Sequence, residues 1–132
     1  SGDYKLWGEP NWLELGNALN AAGLACVLPG GTVDERARSM RIAEKLRVAV
    51  VPPALSLEEI AGLFAGAAKV VGIDTGLTHL AAALGVPTVG IYNATDPVAT
   101  GIYGCARGVN LGGIGRAPTA REVLAAVEGL AA

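Results

Sequence analysis

The sequence predicts an α/β fold in which a parallel sheet carries helices on both faces. Short apolar runs typical of buried strands alternate with segments whose apolar residues recur at helical spacing. Three capping boxes, in which a Ser or Thr precedes a Glu by three residues, predict helix starts at Thr32, Ser56 and Thr119. A chain of 132 residues has the ordinary size of one domain, so we expect residues 1–132 to form a single domain.

Helices and strands alternate regularly in the first half of the chain. Gly23 is a natural helix C-cap, and the turn Pro29-Gly30-Gly31 separates the first strand from the helix that Thr32 caps. The pair Pro52-Pro53 ends the second strand, because proline cannot continue a central strand. The predicted order is helix 11–22, strand 24–28, helix 32–46, strand 48–51 and helix 56–66.

The second half continues the same alternation. Its strands are short apolar runs bounded by turn residues, as expected for buried parallel strands. The predicted order is strand 69–73, a turn at 74–76, a helix to Gly85, strand 88–92, a loop over 93–108, a short strand over 109–111 and a helix from Thr119.

Composition and charge exclude several classes of protein. The net charge is −2 and the arginines are spread along the chain, so we expect no nucleic-acid partner. No apolar run approaches the roughly 20 residues of a membrane-spanning helix, so we expect a soluble protein. Cys26 and Cys105 lie far apart and the chain has a single histidine, which predicts buried thiols in a reducing cytoplasm and no metal site.

The start of the chain, Ser1-Gly2-Asp3, carries neither a charged leader nor an apolar signal segment. We therefore expect a cytoplasmic location. The same start is also compatible with a cut inside a longer protein.

The turn Asp74-Thr75-Gly76 is the strongest candidate for a binding site. It lies between a buried strand and a helix, where the first N–H groups of the helix lack intrahelical partners. Gly76 allows a phosphate to approach the backbone, and the hydroxyls of Thr75 and Thr78 are available as donors. The alternative is that Asp74 or Thr75 only caps the helix.

The residues around this turn resemble those of the bacterial lipopolysaccharide heptosyltransferases, most closely the heptosyltransferase I group. The resemblance covers nearly the whole chain, and as a set its motifs are highly specific. It rests on residues 71–80, 87–92, 95–97 and 101–104, and upstream on residues 3–7 and 11–12.

The resemblance implies the C-terminal half of a GT-B glycosyltransferase, in which two Rossmann-like halves face a cleft. In that family the C-terminal half holds ADP-heptose, and the N-terminal half holds the lipid A precursor and supplies an aspartate as base. We therefore expect no catalytic residue in this chain, which alone would bind donor and transfer nothing. The family's location implies a peripheral protein at the cytoplasmic face of the inner membrane.

The resemblance also implies roles for particular residues. The amides of Thr75 and Gly76 hold the diphosphate and Lys5 reaches the same phosphates, while Asp74 and His79, with Leu77 between them, face the donor near its sugar. Glu35 binds the ribose hydroxyls, and Leu55 packs on adenine.

Each of these roles has a plainer alternative in the sequence. Glu35 is the fourth residue of the Thr32 capping box, so its carboxylate is equally suited to serving the helix backbone. A lone histidine such as His79 is more often a packing or surface residue. Lys5 alone is a surface lysine, and Leu55 needs no ligand to explain its burial.

Two absences complete the prediction. No Asp-x-Asp pair occurs in the chain, so we expect no metal cofactor, with the helix dipole and Lys5 in its place. Relatives also have an apolar strand before the position of Ser1, which is central in a 3-2-1-4-5-6 sheet. We therefore expect the first strand to be absent here and two strands to lack a partner. Residues upstream, a complementing segment from elsewhere, or a rearranged sheet with exposed edges prone to association are the alternatives that would account for this.

Three functional hypotheses follow. The first is the donor domain of an inverting heptosyltransferase with ADP-heptose as its donor substrate. A variant of this first hypothesis is a related transferase with another sugar or acceptor. The second hypothesis is a non-catalytic ADP- or ATP-binding module. The third, a structural domain with a merely capped helix at Thr75, predicts no nucleotide binding.

Overall fold

The computed structural model describes residues 7–73, 76–92, 108–112 and 117–130. Contacts within the chain divide it into two compact units. One consists of Gly8–Ile60, and the second consists of Ser1–Trp7 together with Ala61–Ala132. They are called here the 8–60 unit and the 61–132 unit, and each is described by itself. That residues 1–132 form one domain stays a prediction.

The described residues follow the predicted order of helices and strands. The 8–60 unit contains α1 (Glu9–Ala21), β1 (Cys26–Val27), α2 (Val33–Glu44) and β2 (Ala49–Val50), and α3 (Leu57–Ala65) begins in it. The 61–132 unit contains β3 (Val70–Ile73), α4 (Gly76–Ala83), β4 (Thr88–Tyr92), β5 (Gly108–Gly112) and α5 (Ala120–Gly129). Most of the predicted loop over 93–108 lies outside the described residues.

All strand pairs in the described ranges are parallel, which confirms the predicted α/β class. β1 pairs with β2, and β4 lies between β3 and β5, with Ile91 opposite both Ile73 and Leu111. In the 3-2-1-4-5-6 order that the resemblance implies, the β1–β2 sheet corresponds to the strands on one side of strand 1. The β3–β4–β5 sheet corresponds to the strands on the other side. Within the described part of the chain, β1 and β3 each stand at the end of their sheet.

The first strand is shorter than the predicted 24–28. The N–H of Leu24 donates to the carbonyl of Leu19 at 2.9 Å, so this residue still closes the end of α1. At the other end, the N–H of Leu28 donates to the carbonyl of Val50 at 2.9 Å, and the next donor of this parallel ladder would be the N–H of residue 52, which Pro52 lacks. Helix termination and proline therefore limit the strand from both sides.

The core of the 61–132 unit is built around β4. Thr88, Val89, Gly90 and Ile91 are all buried, and successive strand residues point to opposite faces, so both faces of β4 are covered. Buried residues of α4 and α5 contribute to this core: Ala81, Ala82, Val123 and Val127. Trp7 is buried as well, and its indole Nε1 donates to the carbonyl of Pro118 at 2.9 Å.

The junction of β3 and α4 is closely packed. The hydroxyl of Thr78, in the first turn of α4, donates to the carbonyl of Ile73, the last residue of β3, at 2.5 Å. Thr78 is only 3% exposed. A Cβ at Gly72 would come closer than 3.0 Å to this hydroxyl, a distance that real Cβ atoms do not tolerate. Glycine at position 72 therefore allows the helix to approach the strand.

Asn20 is the buried polar centre of the 8–60 unit. Its side-chain amide donates to the carbonyls of Leu24 at 2.9 Å and Val48 at 3.0 Å, and its Oδ1 accepts from the N–H of Val48 at 3.1 Å. These bonds tie the end of α1 to the residues that lead into both strands. The Val48 carbonyl also accepts from the N–H of Cys26, so Asn20 adds a side-chain bond at the point where β1 and β2 begin to pair.

Cys26 is less buried than predicted. It is half-buried in β1, and this burial raises the pKa of its thiol above the ordinary value. Cys105 lies outside the described residues.

We predict that Asn20→Ala lowers the free energy of unfolding by about 1 to 3 kcal/mol, because it removes three hydrogen bonds of a buried side chain and takes from the Val48 N–H and the Leu24 carbonyl the partner that Asn20 gives them. Urea unfolding measures the change. Asn17→Ala on the exposed side of the same helix is the control and should stay within about 0.5 kcal/mol of the parent. Equal effects of the two substitutions would contradict the structural role of Asn20.

We also predict that Gly72→Ala destabilises the protein by about 1 to 3 kcal/mol, since its methyl group collides with the hydrogen-bonded hydroxyl of Thr78. Gly62→Ala in α3 is the matched control, because a Cβ there meets no atom within 4 Å. That control should gain up to about 1 kcal/mol from helix propensity. A Gly72→Ala variant as stable as Gly62→Ala would show that α4 does not need this close approach.

Candidate functional site

The carboxyl ends of β3, β4 and β5 form one edge of the sheet in the 61–132 unit, because the three strands are parallel. In open parallel sheets, ligands bind outside this edge. Here β3 ends at Ile73 and α4 begins at Gly76, so the N-terminus of the helix lies directly at the edge. The N–H groups of its first turn have no intrahelical acceptors, and the helix dipole is positive at this end. The arrangement is suited to an anion.

The structure describes part of the predicted phosphate turn. Gly76 and Leu77 are the first two residues of α4, as expected, and His79 is the fourth. Asp74 and Thr75 fall outside the described residues, and so does Lys5. Their assignments to the diphosphate and the sugar stay predictions.

The Thr78 hydroxyl already has a partner within the chain. It donates to the carbonyl of Ile73, and Thr78 is buried. This bond holds the first turn of α4 against the end of β3. The donation from Thr78 to a phosphate that the sequence suggests stays a prediction.

His79 follows Thr78 and is half-buried. Its place in the first turn of α4 is set by the same junction that holds Thr78 against β3. The expected role of His79 near the donor sugar stays a prediction.

The Glu35 carboxylate caps the N-terminus of α2 in this structure. Its Oε1 accepts from the N–H groups of Gly31 at 2.9 Å and Thr32 at 3.0 Å, while the Thr32 hydroxyl accepts from the N–H of Glu35 at 3.1 Å. The capping interpretation is thus confirmed. The second carboxylate oxygen still has the lone pairs that a ribose hydroxyl needs, so the ribose role stays a prediction.

Leu55 is half-buried and precedes the second capping box. The N–H of Ser56 donates to Oε1 of Glu59 at 2.9 Å, and the N–H of Glu59 donates to the Ser56 hydroxyl at 3.1 Å. These bonds lower the pKa of the Glu59 carboxyl, which favours its ionised form at the start of α3. The cap fixes the backbone next to Leu55, while its contact with adenine stays a prediction.

Arg36 is a residue of this region that the sequence interpretation missed. Its Nη1 donates to the carbonyl of Pro52 at 2.6 Å and so joins the start of α2 to the chain that follows β2. The available signal was weak: an arginine directly after Glu35, and a proline pair whose carbonyls have to find donors elsewhere.

Two kinds of feature are absent from the ranges that the structure describes. No three His, Cys, Asp or Glu side chains come together as a metal site would require. No helix there has both the length and the apolar content needed to cross a bilayer. The expectation that no metal is required stays a prediction.

Comparison with known proteins connects this geometry to a family. The family model of glycosyltransferase family 9 (heptosyltransferase) matches residues 1–126. The lipopolysaccharide heptosyltransferase 1 of Salmonella typhimurium strain LT2 is 47% identical over 102 residues, which are 77% of this chain and 32% of that protein. The chain thus spans about a third of the length of this relative.

Two solved structures share the fold. The E. coli heptosyltransferase WaaC with ADP superimposes with a TM-score of 0.91 at 37% identity, over 97% of this chain and 41% of that one. The same enzyme with ADP-2-deoxy-2-fluoro heptose gives a TM-score of 0.86 at 37% identity, over 97% and 40%. The strand order and these matches agree, and the chain belongs to glycosyltransferase family 9, the heptosyltransferases.

Proposed function

We propose that this chain is the donor-binding part of a glycosyltransferase that moves heptose from ADP-heptose to the Kdo-lipid A inner core of lipopolysaccharide. The observation that carries the proposal is the start of α4 at the carboxyl edge of the parallel sheet, directly after β3. The ADP in the similar WaaC structure supports an adenine nucleotide as the ligand.

In this proposal the diphosphate binds at the start of α4. The amides of Thr75 and Gly76 donate to its oxygens, and the ammonium group of Lys5 adds a full positive charge. As the sugar–phosphate bond breaks, negative charge grows on the ADP leaving group, and these donors stabilise it most strongly then. The chain contains no Asp-x-Asp pair, so these groups take the place of a divalent cation.

The nucleoside binds to residues of the 8–60 unit. Glu35 accepts from the ribose hydroxyls through the carboxylate oxygen that the helix cap leaves over, and Leu55 packs on adenine. The cap supports this role, because it orients the carboxylate before any ligand arrives.

Asp74, Leu77 and His79 face the sugar. The reaction is a single displacement with inversion at the anomeric carbon, and the base that deprotonates the acceptor comes from the acceptor-binding half. No residue of this chain is the catalytic base, and the chain alone transfers nothing. The acceptor is the lipid A precursor, and the whole protein works at the cytoplasmic face of the inner membrane.

A non-catalytic ADP- or ATP-binding module is the alternative from another class. It predicts that ADP binds as tightly as ADP-heptose, because no part of the site recognises the sugar. A transferase for another sugar or acceptor predicts a preference for a different nucleotide sugar.

The proposal is tested by calorimetric titration of the full-length protein that carries this chain with adenosine, ADP and ADP-heptose. Affinity should increase in that order. Lys5→Ala should weaken ADP about tenfold and leave adenosine unchanged, because a charge-assisted bond to phosphate is lost. Lys45→Ala, at the exposed end of α2, is the control and should change neither affinity.

The outcomes separate the hypotheses. Equal loss of ADP and adenosine in Lys5→Ala would refute the phosphate contact. Equal affinity for ADP and ADP-heptose in the parent would favour the non-catalytic module, and no binding by a folded protein would refute a nucleotide site.

We predict that His79→Ala in the full-length enzyme lowers turnover about a hundredfold and changes ADP affinity much less, because its role is near the sugar. Steady-state kinetics with ADP-heptose and an ADP titration measure the two effects. Leu84→Ala, exposed just beyond the same helix, is the control for a general effect on α4. Turnover equal to that of the parent would remove His79 from the sugar site.

A further inference from the structure

Arg36 lies in the 8–60 unit, near the edge of the sheet where the parallel strands β1 and β2 both end. It belongs to the first turns of α2, and its backbone N–H donates to the carbonyl of Thr32 at 2.9 Å, so its Cα is fixed by the helix. Its side chain is half-buried and reaches the carbonyl of Pro52 at 2.6 Å. One hydrogen bond thus joins two segments that are 16 residues apart in the chain.

The segment after β2 is poor in donors of its own. Pro52 and Pro53 have no N–H, so the chain can be held there only through carbonyl groups. The Arg36 guanidinium supplies the donor at Pro52, and the Ser56–Glu59 capping box holds the far end. Leu55 lies between these two attachments.

The loop before α2 is packed against the same place. A Cβ at Gly30 would meet the N of Arg36 at 2.8 Å and the carbonyl carbon of Glu35 at 2.9 Å, both of them backbone atoms that cannot move aside. The loop therefore lies directly on the first turn of α2. Glu35, Arg36 and the Pro52 carbonyl thus form one connected arrangement.

We propose that Arg36 is a positioning residue that fixes the distance between Glu35 and Leu55 and thereby sets the affinity for the adenosine part of the donor. This inference rests on the proposed function, which places ribose at Glu35 and adenine at Leu55. Arg36 acts through the Pro52 carbonyl and touches no part of the ligand. Its loss affects every ligand that contains adenosine by the same factor.

Direct binding of phosphate by Arg36 is the competing explanation, because a guanidinium has five N–H donors and Pro52 receives one of them. The two explanations differ in what they predict for adenosine. A positioning role weakens adenosine and ADP equally, whereas a phosphate contact weakens ADP alone.

The test uses Arg36→Met, Arg36→Lys and Arg36→Gln in the full-length protein, with Arg38→Met on the same helix as the matched control. Calorimetry gives the affinities for adenosine and ADP, and kinetics with ADP-heptose give KM and kcat. Circular dichroism and thermal unfolding establish that each variant is folded.

Arg36→Met should weaken adenosine and ADP by the same factor of about ten and raise the donor KM similarly, with kcat retained. Arg36→Lys should recover most of the affinity, since a single carbonyl needs only one donor. Arg36→Gln is too short to reach Pro52, and it should repeat the loss if Arg36→Met does not fold. Arg38→Met should equal the parent.

Loss of ADP affinity alone, or a fall in kcat at unchanged KM, would overturn the positioning role. Unchanged affinities in Arg36→Met, with a parent that binds both ligands, would overturn it as well and leave the proposed function intact. A folded parent that binds neither ligand would overturn the proposed function and this inference together.

Discussion

The hydrogen bond from the Thr78 hydroxyl to the Ile73 carbonyl holds the first turn of α4 against the end of β3, and the candidate anion site depends on this contact. The helix N-terminus can serve the carboxyl edge of the sheet only if the helix begins where the strand stops. Gly72 makes this possible by leaving the space that the Thr78 hydroxyl occupies. Gly72 in the strand and Thr78 in the helix therefore determine together where the first backbone N–H groups of α4 lie.

The 8–60 unit solves a similar problem in a different way. Its strands have two residues each, so a long ladder cannot position the segments that follow them. Side chains position these segments instead. Asn20 holds the residues that lead into the strands, and the Thr32 and Ser56 capping boxes hold the segments that follow them. Arg36 joins the segment after β1 to the segment after β2. The residues assigned to the nucleoside thus stand on helix starts whose geometry is fixed by charged and polar bonds.

The residues proposed to bind the donor are found in both units. Those proposed for ribose and adenine belong to the 8–60 unit, and those proposed for the sugar and the diphosphate belong to the 61–132 unit, which includes Ser1–Trp7. The chain belongs to the heptosyltransferase family and covers about a third of the length of its curated relative.

The sequence alone determined the order of elements and the type of sheet, because apolar periodicity and capping boxes are local signals that act over a few residues. The Thr32 and Thr119 boxes appear in the structure as expected. It left open whether Glu35 caps the helix, and it did not predict the bond from the Thr78 hydroxyl to the Ile73 carbonyl. The tertiary structure decided both points, as it decided the Trp7–Pro118 and Arg36–Pro52 bonds. The physical reason is the same in each case: a polar side chain bonds to whichever backbone group folding brings within about 3 Å of it, and distant parts of the chain meet only once the sheet and helices have packed.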